Sequence, residues 1–169
     1  MEQLILFRHA QSEPRSPGGG DIERRLTAGG RADAAAMGAL IAARGLAPNL
    51  ALVSTALRAR ETWECASSAF RPSRCQFRAA LYNADARTLA AQIDDLGQAP
   101  HIVMLIGHNP GLQELALDLL AAGGAAPSDV EQVSMRFAPA TVAVLGIDEA
   151  GRASLEGVFH ADERVGGAR

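Results

Sequence analysis

The sequence predicts a mixed α/β fold with a mainly parallel sheet, because two kinds of segment alternate along it. Apolar runs of strand length occur at Leu4–Phe7, Leu50–Ser54 and Ile102–Ile106, with a weaker run at Cys75–Ala80. Segments of helical composition separate these runs. Helices that join successive strands return the chain to the same end of the sheet, which makes the strands parallel. The chain has 169 residues, enough for one such core, so we expect a single domain over 1–169.

Four helices are expected between these strands. Thr27 is a favoured N-cap for the first helix, and Gly45 is a favoured stop for it. A second helix should follow Thr55, and a third should start near Asp85. A fourth should leave Pro110, because proline is favoured at the first helical position.

The last third of the chain changes rhythm. Val133–Ala138, Thr141–Ile147 and Ala153–Phe159 have the composition of short strands, and the turn 148–152 joins the last two. Strands linked so tightly pair antiparallel, so we expect an antiparallel addition to the parallel sheet. The stretch from 11 to 26 is rich in proline and glycine and is expected to be a long, flexible loop within the domain.

Composition and charge exclude several classes of protein. The net charge is −3 with no basic stripe, which argues against binding to nucleic acid or to an anionic membrane surface. No apolar run approaches the roughly 20 residues of a membrane span, and the start MEQLILFRHA lacks the positive charge of a signal peptide. We therefore expect a cytoplasmic protein. Cys65 and Cys75 lack zinc or redox spacing and are expected to be structural thiols.

Charged side chains follow three of the predicted parallel strands. Arg8 and His9 come directly after the first strand, Arg58 lies in the segment after the second, and His108 follows the run at 102–106. Because the carboxyl ends of parallel strands lie along one edge of the sheet, these four side chains should converge. Arginine forks match phosphoryl oxygens, and a neutral imidazole can attack phosphorus. The set therefore indicates an anion site suited to phosphoryl transfer, although a single such residue would more often be solvated or structural.

Other chemistries fit the sequence less well. The chain has no GxxxxGK[ST] loop, no GxGxxG turn after a strand and no GxSxG nucleophile elbow. A metal centre built on His9 and His108 would want carboxylate or thiolate partners, and both histidines lie beside arginine or amide groups instead. We therefore expect neither a metal ion nor another cofactor.

Four motifs in order resemble the histidine phosphatase superfamily, and specifically its short SixA-type phosphohistidine phosphatases. They are LFRHAQSE at 6–13, DIERRLTAGGR at 21–31, VSTALRARET at 53–62 and IGHNPGL at 106–112. The resemblance implies a three-layer α/β/α sandwich of the phosphoglycerate mutase-like type. It also implies a metal-free reaction that passes through a phosphorylated histidine of the enzyme.

The resemblance assigns roles to individual residues. His9 matches the nucleophile, while Arg8, Arg58 and His108 match the pocket that holds the phosphoryl oxygens. The DxxRxLT pattern adds Arg24 to this pocket, because the next arginine falls where relatives often have proline.

Neighbouring polar residues are assigned less directly. Ser12 is expected to hydrogen-bond near the nucleophile, and Asn109 is expected to support His108. Trp63 is expected in the core. Three charged residues in the same motifs are expected to be solvated: Arg31, Arg60 and Glu61. His101 and His160 lack cationic neighbours, so we expect no direct role for either.

The proton donor is the main departure from the larger relatives, which place an acid before the fourth motif. The corresponding segment here is FRAALYNADA, in which the nearest acid is Asp85. Asp85 is either a proton donor or a helix cap, and the cap is the preferred interpretation. Without an acid, alkyl phosphate esters should react slowly, whereas the imidazole of phosphohistidine is expelled more easily.

The sequence thus predicts a phosphohistidine phosphatase that acts on a protein through a phosphorylated His9 intermediate. The expected partner is a phosphotransfer domain of a signalling relay. Two alternatives remain open. One is a phosphatase of the same superfamily that acts on a small phosphorylated metabolite, and the other is a phosphate-binding or phosphoprotein-binding module without turnover.

Overall fold

The computed structural model describes residues 1–70, 73–97 and 100–161, and it is organised around one six-stranded sheet. The strands are β1 (Gln3–Arg8), β2 (Leu50–Ser54), β3 (Arg74–Arg78), β4 (Ile102–Gly107), β5 (Val142–Ile147) and β6 (Ala153–Phe159). Their order in the sheet is β3-β2-β4-β1-β5-β6. The pairs β2–β3, β2–β4 and β1–β4 are parallel, whereas β1–β5 and β5–β6 are antiparallel. The predicted mainly parallel sheet with an antiparallel addition is confirmed.

Five α-helices lie between the strands of the described residues. They are α1 (Ala28–Ala43), α2 (Leu57–Ser67), α3 (Ala86–Asp94), α4 (Gly111–Gly123) and α5 (Pro127–Met135). Single 3₁₀ turns occur at Asp21–Glu23 and Ala79–Leu81. None of the helices in this part of the chain is long and apolar enough to cross a membrane.

The helices cover both faces of the sheet and give three layers. Side chains of β1 alternate between two apolar clusters, with Leu4 and Leu6 on one face and Ile5 and Phe7 on the other. Helices α3, α4 and α5 pack on the Leu4 face, and α1 and α2 pack on the Ile5 face. Burial on both faces explains why the parallel strands are continuous apolar runs. The three-layer α/β/α sandwich implied by the resemblance is confirmed.

The predicted helix signals act where the sequence placed them. The Thr27 hydroxyl accepts a hydrogen bond from Gly30 N and caps α1. The Asp85 carboxylate accepts one from Thr88 N and caps α3. Gly45 lies beyond the end of α1 with φ +74°, a conformation that glycine adopts without strain. Pro110 is the N-cap of α4, so this helix begins at Gly111, one residue later than predicted.

Two predicted features of the backbone are wrong. Val133–Ala138 is not a strand in the structure, because α5 continues to Met135 and is followed by an extended connection to β5. Val133 is buried in the core and Met135 is 78% exposed. The weak strand ends at Arg78 rather than at residue 80 and continues as a 3₁₀ turn.

The loop from 11 to 26 has paired ends, although it was expected to be flexible. Ser12 and Leu26 form an antiparallel bridge, and Glu13 N donates a hydrogen bond to Arg25 O. Thr27 N donates to Gln11 O at the base of the loop. These contacts close the loop beside the end of β1, which returns the chain to the carboxyl edge of the sheet.

Helices α1 and α2 meet at Gly38 with no room for a side chain. A Cβ atom at Gly38 would collide with the Ala66 carbonyl oxygen. We expect Gly38→Ala to lower the free energy of unfolding by about 1–3 kcal/mol, because the two helices must separate to admit the methyl group. Urea unfolding measures this loss.

Gly29→Ala is the matched control in the same helix. A Cβ atom at Gly29 would lie 3.7 Å from Gln11 Oε1, which is ordinary van der Waals contact. This variant should unfold at the same urea concentration as the parent or at a higher one. Equal losses in both variants would contradict the packing argument.

Candidate active site

A cavity of about 390 Å³ opens at the carboxyl edge of the parallel strands. The structure brings to it all seven residues that the sequence assigned to catalysis or phosphate binding: Arg8, His9, Ser12, Arg24, Arg58, His108 and Asn109. They come from the ends of β1 and β4, the start of α2 and the loop at 11–26. The predicted convergence of sequence-distant side chains is therefore observed.

His9 lies at the floor of the cavity with 8% of its surface exposed. Its backbone is fixed on two sides, because His9 N donates to Gly107 O and Ala140 N donates to His9 O. Its Nδ1 lies 2.8 Å from Ala10 O. Since a carbonyl oxygen only accepts, Nδ1 carries the ring proton and Nε2 keeps its lone pair. The imidazole therefore has its nucleophilic nitrogen directed at the Arg58 side.

The Arg58 guanidinium joins the two histidines. It lies in the first turn of α2 and is 2% exposed. Arg58 Nε donates to His9 Nε2 at 3.2 Å, and Arg58 Nη2 lies 3.3 Å from His108 Nδ1. Because guanidinium groups only donate, His108 Nδ1 is an acceptor, and its Nε2 proton is directed to Ser54 Oγ at 2.8 Å. Both histidines are thus held as defined neutral tautomers.

Burial and nearby positive charge keep both imidazoles neutral. Desolvation is the largest cause that lowers the pKa of His9 to about 4, and the charges of Arg58, Arg8 and Arg24 add to it. Desolvation also lowers the pKa of His108 to about 3, with further contributions from His9 and Arg58. Neutral imidazole is the nucleophilic form, so His9 is poised to react at neutral pH.

Arg8 and Arg24 bring two further guanidinium groups to the cavity. Arg8 Nη1 donates to Phe137 O, and Arg24 Nη1 donates to Glu13 O at 3.1 Å. Arg8 Nε is buried and makes no hydrogen bond within the described part of the chain, whereas Arg24 Nε lies beside a carboxylate. Arg24 Nε does form an ion pair with Asp21 Oδ1 at 2.9 Å. Buried donors of this kind suit an anion with several oxygens.

Asn109 supports a different neighbour from the one expected. Its Nδ2 donates to Gln113 Oε1 at 3.1 Å and to Phe137 O at 3.2 Å, so it fixes the chain before β5 rather than His108. Within the described residues its Oδ1 is buried without a donor. Ser12 lines the cavity through its place in the bridge with Leu26.

Asp21 and Tyr82 belong to the site although the sequence analysis did not select them. Asp21 Oδ2 lies 3.0 Å from Arg58 Nη2, and the Tyr82 hydroxyl donates to the same oxygen at 2.8 Å. The Tyr82 ring lies edge-on to His108, with 5.6 Å between centroids. Asp21 is the first residue of the DxxRxLT motif, so the motif itself carried the missing signal.

Asp85 is not among the residues that line this cavity. Its carboxylate caps α3 at 2.8 Å from Thr88 N, and that backbone hydrogen bond is the main cause that lowers its pKa. A carboxyl group committed to a cap and kept ionised is a poor proton donor. The helix-cap interpretation is the one the structure supports.

Glu61 is buried, so the expectation that it is solvated is wrong. Only 2% of its surface is exposed, and its carboxylate accepts hydrogen bonds from Leu26 N at 2.7 Å, Arg25 Nε at 2.9 Å and Arg31 Nη2 at 2.6 Å. Glu61 lies one turn after Arg58 on α2. It therefore anchors the chain that follows Arg24 to the helix that carries Arg58.

Other sequence-based assignments lie outside this cavity. Trp63 packs in the apolar core, as predicted. His101 is exposed and pairs with Glu2, and His160 contacts the Thr141 hydroxyl. Arg60 lies over the Phe77 ring. In the ranges 1–70, 73–97 and 100–161, no three His, Cys, Asp or Glu side chains are placed to hold a metal ion, and the metal-free reaction stays a prediction.

Comparisons with known proteins agree with this fold and site. A family model described as the histidine phosphatase superfamily, branch 1, matches residues 4–92. The uncharacterized protein Rv1276c of Mycobacterium tuberculosis is 31% identical over 141 residues, which cover 83% of this chain and 87% of that protein.

Two solved structures are similar over nearly the whole chain. A candidate phosphohistidine phosphatase SixA from Agrobacterium tumefaciens matches with a TM-score of 0.80 and 29% identity, covering 94% of this chain and 97% of that one. Another candidate SixA, from Nakamurella multipartitia, matches with a TM-score of 0.81 and 26% identity, covering 94% and 95%.

A three-layer α/β/α sandwich with arginines and histidines clustered at one edge of its sheet is typical of an α/β protein that binds phosphoryl groups. The chain belongs to the histidine phosphatase superfamily. The prediction of a histidine-type phosphatase is confirmed at that level.

The two buried histidines should make the fold sensitive to mild acid. Their ordinary pKa is 6.5, and the folded values are about 4 and about 3. The unfolded chain therefore binds more protons between these limits, and stability falls as the pH drops below 6.5. We expect a loss on the order of 4 kcal/mol in unfolding free energy between about pH 6.5 and pH 4.5, roughly half from each histidine.

Urea unfolding in phosphate-free buffer measures this dependence. His9→Gln should reduce the dependence by about half, because an amide takes up no proton in this range and His108 still contributes. His101→Gln, at an exposed histidine outside the site, should leave the slope unchanged. A parent protein whose stability is constant over this interval would refute the assignment of both histidines as buried and neutral.

Removal of the Glu61 carboxylate should destabilise the protein and weaken phosphate binding. Glu61→Ala leaves a buried amide and two arginines without their acceptor, which should cost about 2–3 kcal/mol of unfolding free energy. Loss of this anchor should also raise the inhibition constant of inorganic phosphate, because Arg24 is no longer fixed. Glu64→Ala on the exposed side of α2 is the control and should change neither quantity.

Proposed function

We propose that the protein is a phosphohistidine phosphatase that removes phosphate from a histidine of another protein, with a phosphotransfer domain as the substrate class. The observation that carries this proposal is the neutral His9 imidazole at the cavity floor, with its Nε2 lone pair facing a ring of cationic groups. The members of that ring are Arg8, Arg24 and Arg58, and His108 lies beside them.

The reaction divides into two displacements at phosphorus. In the first, His9 Nε2 forms a bond to phosphorus while the bond from phosphorus to the substrate nitrogen breaks, and its electron pair stays on that nitrogen. In the second, a water oxygen attacks phosphorus, and the electron pair of the P–N bond returns to His9. The three arginines offset the negative charge on the phosphoryl oxygens during both steps.

Arg58 controls the access of a phosphoryl group to His9 Nε2. Arg58 Nε shares a hydrogen bond with His9 Nε2 at 3.2 Å, so a phosphoryl group must take over that donor as it enters. The same arginine then holds a phosphoryl oxygen directly beside the attacking nitrogen. This exchange keeps one guanidinium in contact with both reacting partners.

Two observations favour phosphohistidine over phosphate esters. Asp85, the carboxylate considered as proton donor, caps a helix, so an alkoxide leaving group has no donor there. The resemblance to two SixA structures over nearly the whole chain supports the same substrate class. A neutral imidazole leaves from phosphorus more readily than an alkoxide, and a site without that acid suits it.

The proposal is tested by phosphate release from a histidine-phosphorylated phosphotransfer domain and from a panel of sugar phosphates. We expect the phosphotransfer domain to be the preferred substrate and the sugar phosphates to react slowly. His9→Ala should lower phosphohistidine turnover by at least about a thousandfold, since it removes the nucleophile. Arg58→Ala should lower it by about a hundredfold or more, since it removes a donor to the transferring group.

His101→Ala is the matched control, because it removes an exposed histidine from outside the cavity. It should retain the parent rate. Rapid His9-dependent hydrolysis of a sugar phosphate in preference to the phosphoprotein would replace the proposed substrate by a small metabolite. Turnover that survives in His9→Ala would remove the proposed intermediate altogether.

A further inference from the structure

Asp21 places a negative charge at the mouth of a cavity that otherwise attracts negative charge. Its two oxygens contact Arg24 Nε at 2.9 Å and Arg58 Nη2 at 3.0 Å, and Tyr82 donates its hydroxyl proton at 2.8 Å. The Asp21 side chain is 49% exposed, whereas His9 on the floor is 8% exposed. The carboxylate therefore lies nearer to solvent than the nucleophile.

This position matters because a phosphoryl transfer to His9 proceeds in line. The attacking nitrogen and the leaving atom lie on opposite sides of phosphorus. With His9 buried at the floor, the leaving group faces the solvent side of the cavity, and the half-exposed Asp21 carboxylate is among the residues that line it. A group on the mouth side contacts the leaving group rather than the attacking nitrogen.

For a simple phosphate ester, a carboxylate here is unfavourable. Asp21 occupies two arginines that phosphoryl oxygens need, and like charges a few ångströms apart repel. Its carboxyl group is also a poor acid for an alkoxide, because the Tyr82 hydrogen bond and the charges of Arg58 and Arg24 lower its pKa. The charge can help only a substrate that presents a hydrogen-bond donor or a cation beside its phosphorus.

Phosphohistidine is such a substrate. The ring nitrogen opposite the phosphorylated one carries a proton when the ring is cationic, and a carboxylate is the strongest neutralising partner for an imidazolium N–H. We propose that Asp21 selects phosphohistidine over phosphate esters by accepting a hydrogen bond from the N–H of the leaving imidazolium. This inference rests on the proposed function. When the P–N bond breaks, its electron pair stays on the departing nitrogen, and the ring leaves neutral because its other nitrogen keeps the proton.

Asp21→Asn tests this assignment, because it removes the charge and nearly preserves the shape. The probes are a phosphohistidine peptide and 4-nitrophenyl phosphate, compared by kcat/KM for the same enzyme preparation. Loss of a charge-assisted hydrogen bond should lower kcat/KM for the peptide by about 10- to 100-fold. The value for 4-nitrophenyl phosphate should stay the same or rise, because a repulsive charge has gone.

Glu23→Gln is the matched control, since it removes one negative charge from the same 3₁₀ turn at an exposed position outside the cavity. It should leave the ratio of the two kcat/KM values unchanged. Asp21→Glu, which restores the charge on a longer side chain, should recover part of the preference for the peptide. Thermal unfolding of each variant verifies that the fold is intact.

Each other outcome overturns the assignment. Equal losses on both probes in Asp21→Asn would make Asp21 a positioning residue for Arg24 and Arg58. Equal gains, or no change on either probe, would mean that the carboxylate makes no favourable contact with the leaving group. The wild-type protein separates this inference from the proposed function: no phosphohistidine turnover there defeats both, whereas normal turnover with an unchanged ratio in Asp21→Asn defeats the role of Asp21 alone.

Discussion

The buried Arg58 guanidinium is the constraint around which the site is arranged. A guanidinium keeps its proton at any physiological pH, so its burial requires acceptors on every side. His9 Nε2, His108 Nδ1 and both the carbonyl and the carboxylate of Asp21 supply them. Each acceptor is itself fixed in its tautomer or charge state by this contact. One permanent charge thus orients the acceptor nitrogens of two imidazoles and the loop that faces them, while burial contributes most to keeping the imidazoles neutral.

Helix α2 transmits this arrangement to the rest of the fold. Arg58 faces the cavity from its first turn, Glu61 holds the chain after Arg24, and the Thr62 hydroxyl accepts a hydrogen bond from Ala10 N at 3.0 Å. Helix α2 therefore positions three parts of the site: the Arg58 guanidinium, the chain after Arg24 and the chain at Ala10. The close approach of α1 at Gly38 fixes that element against the sheet.

Much of the fold was predictable because its signals are local. Caps such as Thr27 act within one turn, and a run buried on both faces of a parallel sheet is apolar throughout. A strand was wrongly predicted at Val133–Ala138 because Val133, Met135 and Phe137 alternate with polar residues, the pattern of a strand. In the structure this segment continues α5, which packs against α4 and leaves Met135 exposed to solvent.

The site residues were predictable where a strand end or a motif placed them, as for Arg8, His9 and His108. Glu61 and the part that Asp21 plays were not, because both depend on arginines that only the folded chain brings within reach. A charged residue in a helix carries no sign in the sequence that a loop 30 residues away will cover it. Such long-range pairs require the tertiary structure.

The Phe137 carbonyl shows how this site can tolerate sequence drift. It accepts hydrogen bonds from both Arg8 Nη1 and Asn109 Nδ2, so a main-chain atom orients two side chains of the cavity. Every amino acid has this acceptor. Evolution can therefore resize the buried side chain at this position to suit the core while the phosphate pocket keeps its shape, and the two selective pressures act on separate atoms of one residue.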